Sequence, residues 1–206
     1  MSSKDEIGRL AQSFNRMVLS LRETMASRDE LTAEIEKRRE IEEELKVLST
    51  VDELTQLYNR RAFNDFLAQM IVQAQRYNEP LSIAMLDFDH FKKINDRLGH
   101  TVGDSVLKQL AEIIQANIRA SDVLARWGGE EFILLMPKIT LADAARVMDR
   151  LRLIVADEEF VGGSTVTISV GVTELRPGDG FDDLLKRVDE AQYRAKASGR
   201  NNVQTI

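Results

Sequence analysis

The sequence predicts an α+β domain behind a long amphipathic helical arm. Helix breakers are nearly absent from the first third: of eleven glycines only Gly8 precedes Gly99, and the prolines are Pro80, Pro137 and Pro177. Apolar residues spaced three and four apart form a seam through residues 4–49. Beyond the helix over 60–77, apolar runs of strand length alternate with amphipathic stretches in the order β-α-α-β-β-α-β-α-β. That order predicts helices on one face of a mainly antiparallel sheet. A chain of 206 residues accommodates one domain of ~150 residues and an appendage, here 50–206 and 1–49.

The arm is rich in Glu, Arg, Lys and Leu. Ile7, Leu10, Phe14, Met17 and Leu21 make an a/d seam. Thr24 and Arg28 interrupt it, Leu31 and Ile35 resume it, and Ile41, Leu45 and Leu48 continue at a shifted phase, as a stutter or stammer produces. Such a helix runs about 70 Å at ~1.5 Å per residue. This is too long for one small domain to cover, so a parallel two-chain coiled coil is expected; a solvated helix packed on its own domain is the alternative. Asp5-Glu6-Ile7-Gly8-Arg9-Leu10 and Phe14-Asn15-Arg16-Met17 resemble the second helix of a HAMP signalling module, without the first. The resemblance implies a larger receptor, with a sensor upstream and an anchor in the bacterial inner membrane.

From residue 51 the elements follow in order. Asp52-Glu53-Leu54-Thr55 offers capping side chains before a helix over 60–77. Leu81 to Phe88 is an apolar, buried strand. Phe91 to Leu98 is a short helix closed by Gly99, and a Gly-His-x-x-Gly loop leads to a helix over 105–118. Strands over 123–127 and 132–136 flank the hairpin turn Gly128-Gly129-Glu130-Glu131. A helix over 141–156, a strand over 165–173, a helix over 181–197 and a short edge strand over 203–206 complete the domain.

Composition removes several kinds of chemistry. With no cysteine, thiolate zinc sites, iron–sulfur clusters, disulfides and cysteine nucleophiles are excluded, and two histidines, His90 and His100, do not make a multi-histidine metal site. The net charge of -6 gives no bulk attraction to nucleic acid. No apolar run approaches the ~18 residues of a membrane span, so a cytoplasmic fragment without direct membrane contact is expected.

The first strand ends Leu86-Asp87-Phe88-Asp89, placing carboxylates at the mouth of an otherwise apolar element, where a lone buried carboxylate is costly. The hairpin adds Glu130 and Glu131. Four carboxylates on two connections suit a magnesium ion, which takes oxygen ligands and binds phosphates; a solvated acidic turn is the simpler reading of Gly-Gly-Glu-Glu alone. No Walker P-loop occurs. Lys92 and Lys93 follow the acidic strand end. Lys196 and Arg200 share a helix face, either as phosphate ligands or as complements to the helix dipole. Asn95 and Asp104 suit a purine edge or helix capping.

Together these residues resemble the GGDEF domain of bacterial diguanylate cyclases. The resemblance spans residues 50–206 through Asp52-x-Leu54-Thr55-x-Leu57-x-Asn59-Arg60-Arg61, the run from Asp87 to Asp96, and Gly99-His100-x-x-Gly103-Asp104. It continues through Arg126-Trp127-Gly128-Gly129-Glu130-Glu131-Phe132, Ser169-x-Gly171 and Ala195-Lys196-x-x-Gly199-Arg200-Asn201. It implies a ferredoxin-like palm of the nucleotidyl cyclase type. The implied reaction condenses two GTP into cyclic di-GMP and two pyrophosphates in a symmetric homodimer. By motif, Asp87, Glu130 and the Phe88 carbonyl would hold Mg2+, with Mn2+ as the alternative ion. Glu131 would join the metal site or activate the attacking hydroxyl, Asn95 and Asp104 would read guanine, and Lys92, Lys196 and Arg200 would bind the triphosphate.

Two departures stand out. Glu130 replaces the third-position Asp, keeping the carboxylate with one more methylene, and Gln192 stands where Leu often precedes Tyr193. Arg119-Ala120-Ser121-Asp122 matches the family's inhibitory product site at its usual offset from the Gly-Gly turn, with Arg150 as a second arginine; a surface ion pair is the alternative. The competing function is a non-catalytic cyclic di-GMP receptor.

Overall fold

A strand with no exposed position needs cover on both sides, and β2 (Leu81–Phe88) is such a strand, buried at all eight residues. It lies inside a six-stranded sheet of order β1-β3-β4-β2-β5-β6. The other strands are β1 (Tyr58–Asn59), β3 (Val123–Arg126), β4 (Glu131–Pro137), β5 (Ile168–Glu174) and β6 (Val203–Thr205). β2 pairs antiparallel with β4 and β5, β3 pairs antiparallel with β4, and the edge strands β1 and β6 run parallel to β3 and β5. The helices are α1 (Arg60–Tyr77), α2 (Phe91–Leu98), α3 (His100–Ala116), α4 (Leu141–Asp157) and α5 (Phe181–Ala197). This computed structural model describes residues 25, 28, 32, 34–39, 41, 50–163 and 165–206.

The expected one-sided helical layer is corrected. Ala84, Leu86, Phe88, Phe132, Leu134 and Val170 face a core closed by α2, α3 and α4. Ile83, Met85, Ile133 and Leu135 face a second core closed by α1 and α5. Alternation along β2 is between two apolar sets, so the strand had no polar face to leave open. The two-residue β1 was not expected, being shorter than any periodicity reveals. α3 begins at His100 rather than at residue 105, because Gly103 lies inside the helix and is buried. Asp52 does not cap α1; Asn59 does, its side chain accepting from the Ala62 N–H at 3.0 Å.

The chain divides into two compact units, Met1–Ser49 and Thr50–Ile206. In the first, the described residues are helical. Glu34 and Arg38 pair at 3.5 Å one turn apart, and Ile35 and Ile41 of the seam are exposed. The HAMP-like stretch and the seam residues Ile7, Leu10, Phe14, Met17, Leu21, Leu31, Leu45 and Leu48 lie outside the described residues.

Candidate active site at the β2–β4 sheet end

The antiparallel register puts Asp87 directly opposite Glu131 on β4 and opposite Ser169 on β5. Like charges in directly opposed positions repel, and Glu130 adds a third carboxylate from the turn, where its carbonyl accepts from the Phe88 N–H at 3.3 Å. Asp87 is 5% exposed. Burial pushes its carboxyl above the ordinary range; Lys196 pulls the other way, while the charges of Glu131 and Asp89 add to the rise. Glu130 is also raised, by burial first, then by Asp87 and Glu131, against Lys196. The Lys196 ammonium answers this cluster directly, with Nζ 2.7 Å from Asp87 Oδ2.

Lys196 comes from the last turn of α5, and α5 reaches this position through Gly171. A Cβ on Gly171 would lie 2.2 Å from the Gln192 nitrogen and 2.5 Å from the Val188 carbonyl oxygen. Only glycine lets the helix backbone settle onto β5 here. Gln192 is buried at that contact and its amide nitrogen meets no hydrogen-bond partner.

Asp89 is not a free carboxylate at the mouth. It receives the Thr167 hydroxyl at 2.7 Å, the Ser169 hydroxyl at 2.6 Å and the Asn201 N–H at 3.0 Å. Sequence reasoning grouped it with the ion-binding carboxylates. The alternation of Thr167 and Ser169 on one strand face was the available signal for its hydroxyl partners.

The Gly-Gly turn is held from two sides. Within it, the Trp127 and Gly128 N–H groups donate to the Glu131 carbonyl at 2.8 and 3.2 Å. A Cβ on Gly128 would come 2.8 Å from Glu131 Oε2, so glycine leaves room for that carboxylate, while Gly129 faces open space. From outside, the Arg126 guanidinium donates to the Gly129 carbonyl at 2.8 Å and to both Asp52 oxygens at 3.1 and 3.2 Å. Asp52 also closes its own turn on the Thr55 N–H and hydroxyl. Burial pushes the Asp52 carboxyl up, but its bonds to Thr55 and Arg126 outweigh this and hold it below the usual value. Arg60 lies 4.3 Å over the Trp127 ring, fixing α1 beside the turn. These contacts span 74 residues in sequence and were not foreseen.

Asn95 on α2 packs against Gly103 on α3, the neighbour of Asp104; a Cβ on Gly103 would fall 1.9 Å from Asn95 Oδ1. Asn95 is half-buried, and Asp104, Lys92 and Arg200 are exposed. Arg119, Asp122 and Arg150 line one cavity of about 490 Å³ on the domain. Asp122 accepts from the backbone N–H of Arg119 at 2.9 Å, and Arg150 donates to the Asn117 carbonyl at 3.3 Å. Burial pushes the Asp122 carboxyl up, against its Arg119 and Ser121 partners.

The donor set is all oxygen, which fits a hard divalent cation and no soft one. Among the described residues no cluster of three or more acidic or imidazole side chains is gathered into a cage. Magnesium commonly binds through one or two carboxylates with substrate phosphates completing the shell, and Asp87 and Glu130 meet that requirement.

The family model described as "Diguanylate cyclase, GGDEF domain" matches residues 49–202, and a HAMP domain model matches residues 1–23. The chain is 44% identical over 162 residues to the response regulator PleD of Caulobacter vibrioides, covering 76% of this chain and 36% of that protein. It therefore spans little more than a third of that relative. The coiled coil and GGDEF domain of DgcB from Caulobacter crescentus, solved with c-di-GMP, superposes with a TM-score of 0.74 at 32% identity, covering 88% of this chain and 98% of that one. The active GGEEF domain of a diguanylate cyclase from Vibrio cholerae gives a TM-score of 0.70 at 35% identity, covering 73% and 97%.

Proposed function

The chain belongs to the GGDEF family of diguanylate cyclases, and from that premise we propose that it condenses two GTP into cyclic di-GMP and two pyrophosphates as a symmetric homodimer. The observation that carries this reading is the gathering of the half-buried Glu130 and Glu131 beside the buried Asp87, whose charge is answered by Lys196. Such a cluster is built for a cation and a polyphosphate. Glu130 in place of Asp is compatible with activity, since the Vibrio cholerae domain is an active GGEEF.

Asn95 and Asp104 read guanine, and Lys92, Lys196 and Arg200 bind the triphosphate. Each domain holds one GTP, and two domains face each other. The 3′-oxygen of one GTP attacks the α-phosphorus of the other, the bond to the β-phosphate oxygen breaks, and pyrophosphate leaves with the electron pair. The hydroxyl proton passes to a nearby base, a role we assign to Glu131. The same displacement in the other direction closes the ring. A magnesium or manganese ion held by Asp87, Glu130 and the Phe88 carbonyl would neutralise charge on the transferring phosphoryl group. With nucleotide bound, Lys196 would turn from Asp87 to the phosphates.

Arg119, Asp122 and Arg150 form a product site. Arginine's planar fork suits a phosphate or a guanine edge, and the Asp122 carboxylate accepts from guanine nitrogens. Product held there locks the two domains apart, a coupling between distinct sites. The HAMP match at residues 1–23 supports regulation of a parent protein, anchored in the inner membrane, through the N-terminal segment. Incubation with GTP and magnesium followed by chromatography tests the activity: cyclic di-GMP is expected, and its absence from a GTP-binding preparation would leave only a receptor.

A further inference from the structure

Asp89 sits one residue beyond β2, is 6% exposed, and receives three hydrogen bonds, from Thr167, Ser169 and the Asn201 backbone. The third of these ties it to a chain segment more than a hundred residues away. That segment is unusual: Gly199, Arg200 and Asn201 have φ of +109°, +62° and +45°. Arg200 and Asn201 carry side chains in the left-handed region, where a residue stays only when its surroundings hold it. Several bonds do so. The Arg200 N–H donates to the Ala195 carbonyl at 3.1 Å, Asn202 Nδ2 donates to the carbonyls of Ala195 and Arg200 at 2.9 Å, and Arg152 donates to Asn201 Oδ1 at 3.0 Å. Two of these ties join the segment to α5, one joins it to the α4 side chain of Arg152 and one lies within it, while the Asn202 carbonyl also accepts from the Val170 N–H on β5 at 3.0 Å. The Asn201–Asp89 bond alone among them joins it to the strand end that carries Asp87.

We propose that Asp89 is a positioning residue for polyphosphate binding: its carboxylate fixes the left-handed Arg200–Asn201 turn against the end of β2, so that Arg200 and Lys196 meet the nucleotide phosphates together. This rests on the GTP reading above. Asp89 acts through the turn and touches no reacting atom.

Asp89→Ala tests it. The methyl accepts nothing, so the Asn201 N–H loses its partner at the strand end, whereas the amide of Asp89→Asn can turn its oxygen to Thr167 and Asn201 and its N–H2 to the Ser169 hydroxyl and so keep the tie. Removing a negative charge beside the site would by itself tighten anion binding, so positioning and simple electrostatics have opposite signs. By calorimetry with magnesium present, Asp89→Ala is expected to bind a non-hydrolysable GTP analogue about tenfold more weakly, with guanosine affinity within about twofold of wild type, and Asp89→Asn is expected to restore the analogue. In turnover the loss falls on KM for GTP rather than kcat. Thr167→Val keeps the charge and removes one donor, so it shifts the analogue in the same direction by a smaller factor and guards against an unfolded Asp89→Ala. Unchanged or tighter analogue binding in folded Asp89→Ala and Thr167→Val, or an equal loss for analogue and guanosine, overturns the role of Asp89 alone. A wild-type chain that binds neither ligand overturns the GTP reading, and this role with it.

Discussion

At Glu130 repulsion and use coincide. Its carboxyl is pushed up by burial and by Asp87 and Glu131, so its charge by itself opposes folding slightly while being what a cation needs. Glu130→Ala is therefore expected to lower cyclic di-GMP formation about a thousandfold or more, with the thermal midpoint unchanged or higher. Turnover assays beside a calorimetric melt check both halves. Asp179 has the reverse character. Its hydrogen bonds from Arg187 hold its carboxyl below the ordinary value, and both side chains are largely buried, at 12% and 14% exposure. The folded state thus binds the proton less tightly than the unfolded chain. The stabilisation is complete above the unfolded value of about 3.9 and is lost as pH falls through the lower folded value. Asp179→Asn is expected to cost about 2 kcal/mol at neutral pH, the gap from wild type closing below about pH 4 in denaturant titrations. The juxtaposition of Asp87 with Glu131 was legible because each stands at the end of an apolar strand, one beside the Gly-Gly turn. The division between Asp87 and Asp89 was not, since it depends on which carboxylate faces Thr167 and Ser169.

Among the elements, α1, β2, α2 and α5 follow the sequence periodicity to their observed limits, since each is bounded by a turn residue or a change of period. The two-sided cover of β2 was missed because a run of eight largely apolar residues does not reveal whether one face or two is dry. The Asp52–Arg126–Gly129 link was missed because its partners meet only after the sheet forms. The docking of α5 on β5 makes an element-scale test. Gly171→Ala puts a methyl against helix backbone at 2.2 Å, and backbone cannot rotate away as a side chain does. The variant is expected to lose about 1–3 kcal/mol of stability. Its GTP affinity is expected to fall about tenfold as Lys196 withdraws from Asp87. Unfolding curves and nucleotide titration report the two effects separately.

For the whole molecule, one domain supplies one cluster of site residues, and the proposed reaction joins two nucleotides. Specific activity is expected to fall on dilution, and more steeply after deletion of residues 1–48, because a tether between two chains raises their effective concentration. Activity per mole that is independent of concentration would contradict a two-domain reaction. Product inhibition is expected to be non-competitive with GTP and to disappear in Arg119→Ala, whose catalytic cluster is untouched. The reciprocal of that coupling is weaker product binding by a forced productive dimer, readable by calorimetry. The central claim is the condensation itself, and phosphorus NMR of the chain with GTP and magnesium tests it most directly. The expected spectrum loses the triphosphate signals and gains a phosphodiester signal and pyrophosphate, with two pyrophosphates for each cyclic di-GMP, and Glu130→Ala leaves GTP intact. Orthophosphate in place of pyrophosphate, or GTP unchanged at concentrations where the chain is dimeric, would contradict it.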